Sequence, residues 1–570
     1  MKLTNFRTFL AENHLDAFVV PSADPHQSEY TATHWGCRAW LSGFDGSAGT
    51  AVITADKAAL WTDSRYFLQA QMQLSKDWIL QKVGLKETPT IEEWLVANTA
   101  KGARVGIDGR LFTKTQFDNM RESLIDRELI CTDDPFATIW AERAPLPDCK
   151  AFILDEEYSG ESAVSKIARL KPAKGVLLVS ALDDIAWLLN IRGSDISYNP
   201  LVMSYAAIEC SGRVNLFADK NKFSREDVKG LEDSGVVFYR YEDWFSYLGT
   251  LECALVNVAR LDYLSYSLLK NVEQGGAAAI NEAKAIKNSA ELEGFRRAMI
   301  EDGVALVGWM MWLEKANRPT EYEAAIKLRE CRMHSPLCKG ESFSSIVAYR
   351  ANGAIVHYSP AADGSAVIER EGFLLVDSGG QYLCGTTDIT RTYCLGEPTA
   401  AQRRDYTNVL MGVIDISRAI FPEGTRGTQL DVLARQHLWR SGYNFLHGTG
   451  HGVGHFLCVH EGPQSIRMNE NPVTLRVGMV NSIEPAVYRT GEYGIRIENL
   501  VAVTAAQYDG YEQFETLTLS PICTKAVESS MLESHHRAWL NDYNRMVYNR
   551  LSPYLDGDQQ QWLAYQCREV

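Results

Sequence analysis

Short apolar runs broken by turn residues fill the first half of the chain. Ala17-Phe18-Val19-Val20 reads as a strand stopped by Pro21-Ser22-Ala23-Asp24, and Thr50-Ala51-Val52-Ile53 and Ala58-Ala59-Leu60-Trp61 read as later strands. Ala144-Pro145-Leu146-Pro147-Asp148 predicts a linker, because proline breaks both helix and sheet ladders. Beyond it the pattern partly repeats. The run Val176 to Asp183 is like the run Phe18 to Asp24, and Trp187-Leu188-x-x-Ile191-x-Gly193 repeats Trp40-Leu41-x-x-Phe44-x-Gly46. The expectation is an old duplication, giving two related α/β domains in series.

A third segment begins near Gly275-Gly276-Ala277. Asn288 and Glu291 predict a capping box, and the helix behind it carries Leu292, Phe295 and Met299 on one face. Thr320 and Glu323 predict a second box. After residue 340 the pattern turns to β-hairpins, and from about residue 525 it is helical. There Leu532, His536, Trp539, Tyr543 and Val547 recur at helical spacing. This stripe is expected to pack on the third segment, with a subunit interface as the alternative.

The chain has 570 residues, 46% hydrophobic and 23% charged, which predicts several globular cores rather than disorder. At roughly 150 residues per domain this allows three to four domains. The formal net charge of −15 disfavours nucleic acid and anionic membrane as partners. No apolar run approaches the ~18 residues of a membrane span. Ala17 to Val20, the longest apolar run near the N-terminus, is too short for a secretory segment, so a reducing cytoplasm is expected. Twelve cysteines with no Cys-x-x-Cys pair read mostly as small buried hydrophobes, not as a disulfide frame or zinc knuckle.

The third segment gathers the polar chemistry. Phe373-Leu374-Leu375-Val376 predicts a strand running into Asp377, with a turn at Ser378-Gly379-Gly380 and a return strand Thr386-Thr387-Asp388-Ile389-Thr390. Two carboxylates on neighbouring buried strands repel unless a cation lies between them. His447, His451 and His455 follow at spacings of four, interleaved with glycines that make a helix costly. In an extended chain these histidines share one face, and the glycines allow close backbone approach. Asn481-Ser482-Ile483-Glu484-Pro485 ends another apolar run in a carboxylate. In Gly494-Ile495-Arg496-Ile497-Glu498-Asn499 the isoleucines face one way and Arg496 and Glu498 the other, so Arg496 is placed to orient Glu498. Asp377, Asp388, His451, Glu484 and Glu498 thus offer four carboxylates and one imidazole. Their charge matches two divalent cations, and the mostly oxygen donor set suits Mn²⁺, Co²⁺ or Fe²⁺.

These strings resemble the Xaa-Pro aminopeptidases of the aminopeptidase P family, in its long three-domain cytosolic form. The resemblance rests on Val376-Asp377-Ser378-Gly379, Gly385 to Thr392, His447 to Gly454, Val459-His460-Glu461-Gly462-Pro463, Ile483-Glu484-Pro485, Gly494 to Asn499 and Asn352 to Tyr358. It extends to Pro21 to Tyr30, Ser42 to Thr50 and Trp61 to Phe67, and so spans nearly the whole chain. It implies creatinase-like α/β domains at 1–148 and 149–280. A pita-bread α+β catalytic domain would fill 281–570, including a helical extension at about 525–570. Asp377 would bind one Mn²⁺ terminally, Asp388 and Glu498 would bridge two, and His451 and Glu484 would complete the second. A metal-activated hydroxide would attack the carbonyl before proline, with His447, His460 and Glu484 as the catalytic set. Arg65, His357, His460 and Arg496 would meet the substrate, and the enzyme would be a homodimer. Ala486, His455 and Cys458 depart from the family pattern at positions expected near the pocket rim.

The chemistry suits this bond. An Xaa-Pro amide has no N–H and a fixed proline φ, so a site gripping the free amine and the ring can use that geometry. The leaving proline nitrogen must gain a proton, and His460 is the expected donor. Alternatives are a prolidase confined to Xaa-Pro dipeptides, an aminopeptidase indifferent to proline, and a non-catalytic pita-bread protein that binds peptides.

Overall fold

The computed structural model describes the backbone of residues 1–570 and every side chain except that of Ala277. The chain divides into two compact units, residues 1–154 with 161–280, and residues 155–160 with 281–570.

The first unit holds two six-stranded sheets of the same design. In the first, Ala17–Pro21 lies centrally, antiparallel to Thr50–Thr54 and parallel to Arg104–Asp108. Ala58–Thr62 and then Ile79–Lys82 extend one side, and Glu128–Thr132 closes the other. In the second, Val176–Val179 takes the central place, antiparallel to Tyr205–Glu209 and parallel to Ala254–Val256. Val214–Phe217, Val236–Tyr239 and Val272–Gln274 repeat the remaining order and sense. The Trp40-Leu41 and Trp187-Leu188 pairs both lie on the helix that follows the central strand, Cys37–Ser42 and Leu182–Leu189. Strand order, strand sense and the repeated residues therefore agree with a duplication. The Ala144–Asp148 run has neither helix nor strand.

The second unit is built from antiparallel strands and long helices. Asn288 and Glu291 form the capping box of the helix Ser289–Lys315, and Thr320 and Glu323 that of Glu321–Met333. Phe295 and Met299 are buried in the main core with Trp309, Tyr406, Leu410, Ile495 and Ile497. One sheet joins Ile346–Tyr349, Phe373–Ser378 and Ile389–Cys394; a six-stranded sheet includes Gly450–Gly452, Glu461–Ile466, Val480–Ile483 and Asn499–Ala505. Ala486–Arg489 and Tyr493–Arg496 form a separate hairpin.

The structure corrects several expectations here. Two helices, Ala400–Ser417 and Gly427–Arg440, interrupt the β-rich region. The return from Asp377 is not direct: Gly380–Tyr382 and Gly385–Thr386 form a hairpin in another sheet, and the returning strand starts at Ile389. All twelve cysteines are free thiols, but only Cys37, Cys338 and Cys384 are buried. The C-terminal stripe packs inward: Leu532, Leu540, Tyr543 and Val547 belong to the main core, with Trp539 against them. Tyr543 Oη donates to Ser520 O at 2.8 Å and receives Arg391 Nη2 at 2.7 Å.

Candidate metal centre

Strand ends bring the five candidate ligands together. Asp377 lies near the end of Phe373–Ser378, directly opposite Thr390, and Asp388 precedes the returning strand by one residue. His451 is the middle residue of Gly450–Gly452, and Glu484 follows Val480–Ile483. Glu498 sits between Tyr493–Arg496 and Asn499–Ala505. Ligand atoms of Asp377, Asp388 and Glu498 lie within 4.8 Å of one another, as do those of His451, Glu484 and Glu498 and those of Asp388, His451 and His460. Glu498 joins the first two groups and His451 the last two, so all five candidates and His460 form one cluster.

Hydrogen bonds fix the ligand atoms. His451 Nδ1 lies 2.9 Å from Gly452 O, which makes Nδ1 the donor and turns Nε2 inward. That Nε2 stands 3.5 Å from Asp388 Oδ2 and 3.6 Å from Glu484 Oε1. Thr390 Oγ1 donates to Glu498 Oε2 at 2.7 Å. Arg496, 2% exposed, gives Nη2 to Asp377 Oδ2 at 2.7 Å and Nη1 to Tyr488 Oη at 2.6 Å. The bond expected between Arg496 and Glu498 therefore falls on Asp377, because the sheet register sets Asp377 beside Thr390 and within reach of the arginine. Tyr488 Oη also meets His447 Nε2 at 2.8 Å, and His447 Nδ1 is 4.0 Å from Glu484 Oε2.

The donor set fits divalent cations. Burial, reinforced by Asp377 and Glu484, pushes the Asp388 carboxyl well up. Burial and the charges of Asp388 and Asp377 do the same to Glu498, and burial and Glu498 to Glu484. Such carboxylates stay ionised together only with positive charge among them. Asp377 Oδ1 is buried with no protein hydrogen-bond donor, the disposition of an oxygen kept for a cation.

The glycines serve close backbone approach. A Cβ on Gly450 would stand 1.9 Å from Ser482 O, and one on Gly452 2.3 Å from Glu461 O. His455 does not share the face of His447 and His451. The chain turns after Gly452, and His455 is buried against Phe295, with ring centroids 5.6 Å apart. Ala486 is likewise fully buried, so neither it nor His455 forms an exposed rim, whereas Cys458 is half-buried. His460 stands edge-on to His451 at 4.4 Å. Arg65, in the first unit, is held by Asp63 through two bonds of 2.9 Å. His357 follows Val356, whose carbonyl receives Arg496 Nη2 at 3.4 Å. Sequence reasoning missed Thr390 and Tyr488; the signal lay in cross-strand pairing, which a linear reading does not supply.

Asp415, His535 and His536 form another group of ligand types. There Asp415 already pairs with His437 Nε2 at 2.7 Å and His536 Nε2 at 2.9 Å, and accepts from Gln436 Nε2 at 3.0 Å. His536 Nδ1 accepts the Glu533 N–H at 3.3 Å, which keeps the proton on Nε2. These atoms are taken up by hydrogen bonds within the protein, and His536 with Glu533 forms the capping box of the helix Ser534–Leu551.

The chain matches the profile of metallopeptidase family M24 over residues 293–505 and that of the peptidase M24 C-terminal region over 510–570. Two creatinase/prolidase N-terminal domain profiles match residues 2–139 and 142–291. A probable Xaa-Pro aminopeptidase P of Laccaria bicolor is 40% identical, covering 99% of this chain and 93% of its own length. Aminopeptidase P2 of Arabidopsis thaliana is 38% identical, covering 100% and 88%. The solved X-prolyl aminopeptidase of Caenorhabditis elegans, described as a cytosolic enzyme with a di-nuclear active site, has a TM-score of 0.96 at 32% identity, covering 100% of this chain and 99% of that one. Fold and site together define a pita-bread metallopeptidase behind creatinase-type N-terminal domains. The chain belongs to the Xaa-Pro aminopeptidase P family. Among the described residues, no helix is long and apolar enough to cross a membrane.

Proposed function

We propose that this chain is a metalloaminopeptidase releasing the N-terminal residue from peptides with proline second. The observation that carries the reading is the convergence of Asp377, Asp388, His451, Glu484 and Glu498 on one pocket in which Asp377 Oδ1 has no donor. These five would hold two divalent ions, Mn²⁺ in this reading. When bound, such a pair supplies water activation and carbonyl polarisation. The chain's own groups do the rest. Arg496 holds Asp377, Thr390 holds Glu498, and Gly452 O holds the His451 tautomer. Glu484 takes the proton of the attacking water, and His460 returns one to the leaving proline nitrogen. His447, tied to Tyr488, borders the same pocket. His357 contacts the substrate.

Division into 1–148, 149–280 and 281–570 is part of the proposal, supported by the two separate N-terminal sheets and by the extents of the family matches. So are a cytoplasmic location, the absence of nucleic-acid and membrane partners, and a homodimer. Trp439 and Met468, 43% and 53% exposed, both contact Asn444 and offer an apolar surface for a second copy. Light scattering on the purified chain is expected to give twice the monomer mass; the monomer mass would reject the dimer.

A peptide panel with and without proline at the second position, at controlled Mn²⁺, tests the function. Cleavage is expected only before proline, in tripeptides and longer substrates as well as dipeptides. Cleavage confined to dipeptides would make it a prolidase, and cleavage indifferent to proline would overturn the assignment. His460→Ala is expected to lower kcat by about 10²–10⁴-fold on an Arg-Pro-Pro peptide, and an unchanged kcat would remove His460 as the donor.

A further inference from the structure

Glu321 is the first residue of the helix Glu321–Met333, and its side chain is fully buried. A buried carboxylate needs a cation or several donors to be tolerated. Among the described residues no lysine or arginine pairs with it. Four donor groups converge on it instead. Tyr349 N–H reaches Oε1 at 2.6 Å, and Asn352 Nδ2 reaches Oε1 at 2.9 Å and Oε2 at 3.1 Å. Tyr358 Oη donates to Oε2 at 2.7 Å, and Ala366 N–H at 2.9 Å. The Glu321 N–H returns a bond to Ala366 O at 3.0 Å.

These donors are not scattered. Tyr349 ends the strand Ile346–Tyr349, Ala366 lies where the following excursion returns, and Asn352 and Tyr358 lie within it. His357 is the neighbour of Tyr358. The opposite side of the excursion is tied to the metal centre: Val356 O receives Arg496 Nη2 at 3.4 Å, and that nitrogen also holds Asp377 Oδ2 at 2.7 Å. Tyr358 packs against Ile346, Ala348 and Leu375, on the strands around Asp377. Gly353 meets Gly494 so closely that a Cβ on Gly494 would lie 1.7 Å from Gly353 O. The backbone before His357 is thus held by Arg496 and the side chain after it by Glu321.

We propose that Glu321 is a positioning residue for the peptidase: it draws the two ends of the 350–366 excursion together and fixes His357 beside the metal centre. The proposal rests on the reading of His357 as a substrate contact. The helix N-terminus is already capped by Thr320, whose Oγ1 accepts the Glu323 N–H at 3.1 Å.

The test is a double-mutant cycle on the Mn²⁺-loaded full chain, with an Arg-Pro-Pro peptide as substrate. Glu321→Gln puts an amide donor where only acceptors fit. Its kcat/KM is expected to fall on the order of 10²-fold, as for a misplaced contact group, with the same split between KM and kcat as His357→Ala. The double variant is expected to be no slower than His357→Ala alone. Metal content is expected to equal that of the wild type. Tyr358→Phe removes one donor and leaves the carboxylate in place; a loss of about 3–10-fold is expected, absent in the His357→Ala background, and this cycle decides if Glu321→Gln does not fold. Losses that multiply with His357→Ala, or a wild-type kcat/KM for a folded Glu321→Gln, would overturn the positioning role alone. A wild-type kcat/KM for His357→Ala would instead remove the substrate contact on which it rests.

Discussion

Arg496 carries a full positive charge into a pocket of carboxylates while almost wholly out of water. Burial opposes that charge, but Tyr488, Asp377 and Glu484 hold the guanidinium in its ionised form. Its planar fork reaches Asp377, Tyr488, Thr390 and Val356 O together, which a single ammonium cannot do. Arg496→Lys is therefore expected to lose about 10–100-fold in metal affinity or activity, read by metal titration beside kcat/KM. At this scale the clustering of the candidate residues was legible, because a carboxylate closing an apolar run needs a reason to be there. The partner of Arg496 was not. Asp377 is 119 positions away, and only the sheet register shows that it, rather than Glu498, receives the arginine.

Elements set how closely those residues approach. The strands Gly450–Gly452 and Val480–Ile483 sit so near each other that Gly450→Ala forces a Cβ against Ser482 O. Destabilisation of about 1–3 kcal/mol is expected, measured by thermal unfolding, with weaker metal retention. Glycine alternation made the extended backbone legible. It did not reveal the turn after Gly452, beyond which His455 packs against Phe295. The helix Ala400–Ser417 was hidden for another reason: Tyr406 to Ile414 are buried on every side, so no 3.6-residue stripe stands out. In the first unit, Asp262 caps the helix Tyr263–Ser267 through the Ser265 N–H at 2.8 Å. Burial, with Asp108 adding to it, raises its carboxyl to about 7. The folded chain thus holds this proton above the unfolded value of about 3.9, and the stability it lends is lost as pH rises through about 7. Asn caps as well as Asp. Asp262→Asn is expected to flatten stability between pH 5 and 8 and to raise it at pH 8, in denaturant titrations at each pH; an unchanged slope would contradict this.

Across the whole molecule, one duplicated design serves the first unit and an antiparallel, helix-backed design the second. The duplication was legible from a few repeated residues because each domain repeats the same central strand and following helix. The candidate site stood out only as a set, since its carboxylates and His451 come from separate strand ends of the second unit. A cation bound to that set stabilises the folded state by mass action, so added Mn²⁺ is expected to raise the midpoint of the second unit's unfolding and a chelator to lower it.

Metal content per chain, measured by elemental analysis after dialysis against Mn²⁺, tests the central claim most directly. Two ions per wild-type chain are expected, with Asp388→Ala and Glu498→Ala each lowering that content, because each carboxylate belongs to two of the clustered ligand groups. Full peptidase activity with one ion or none, or two ions retained undiminished in both variants, would contradict it.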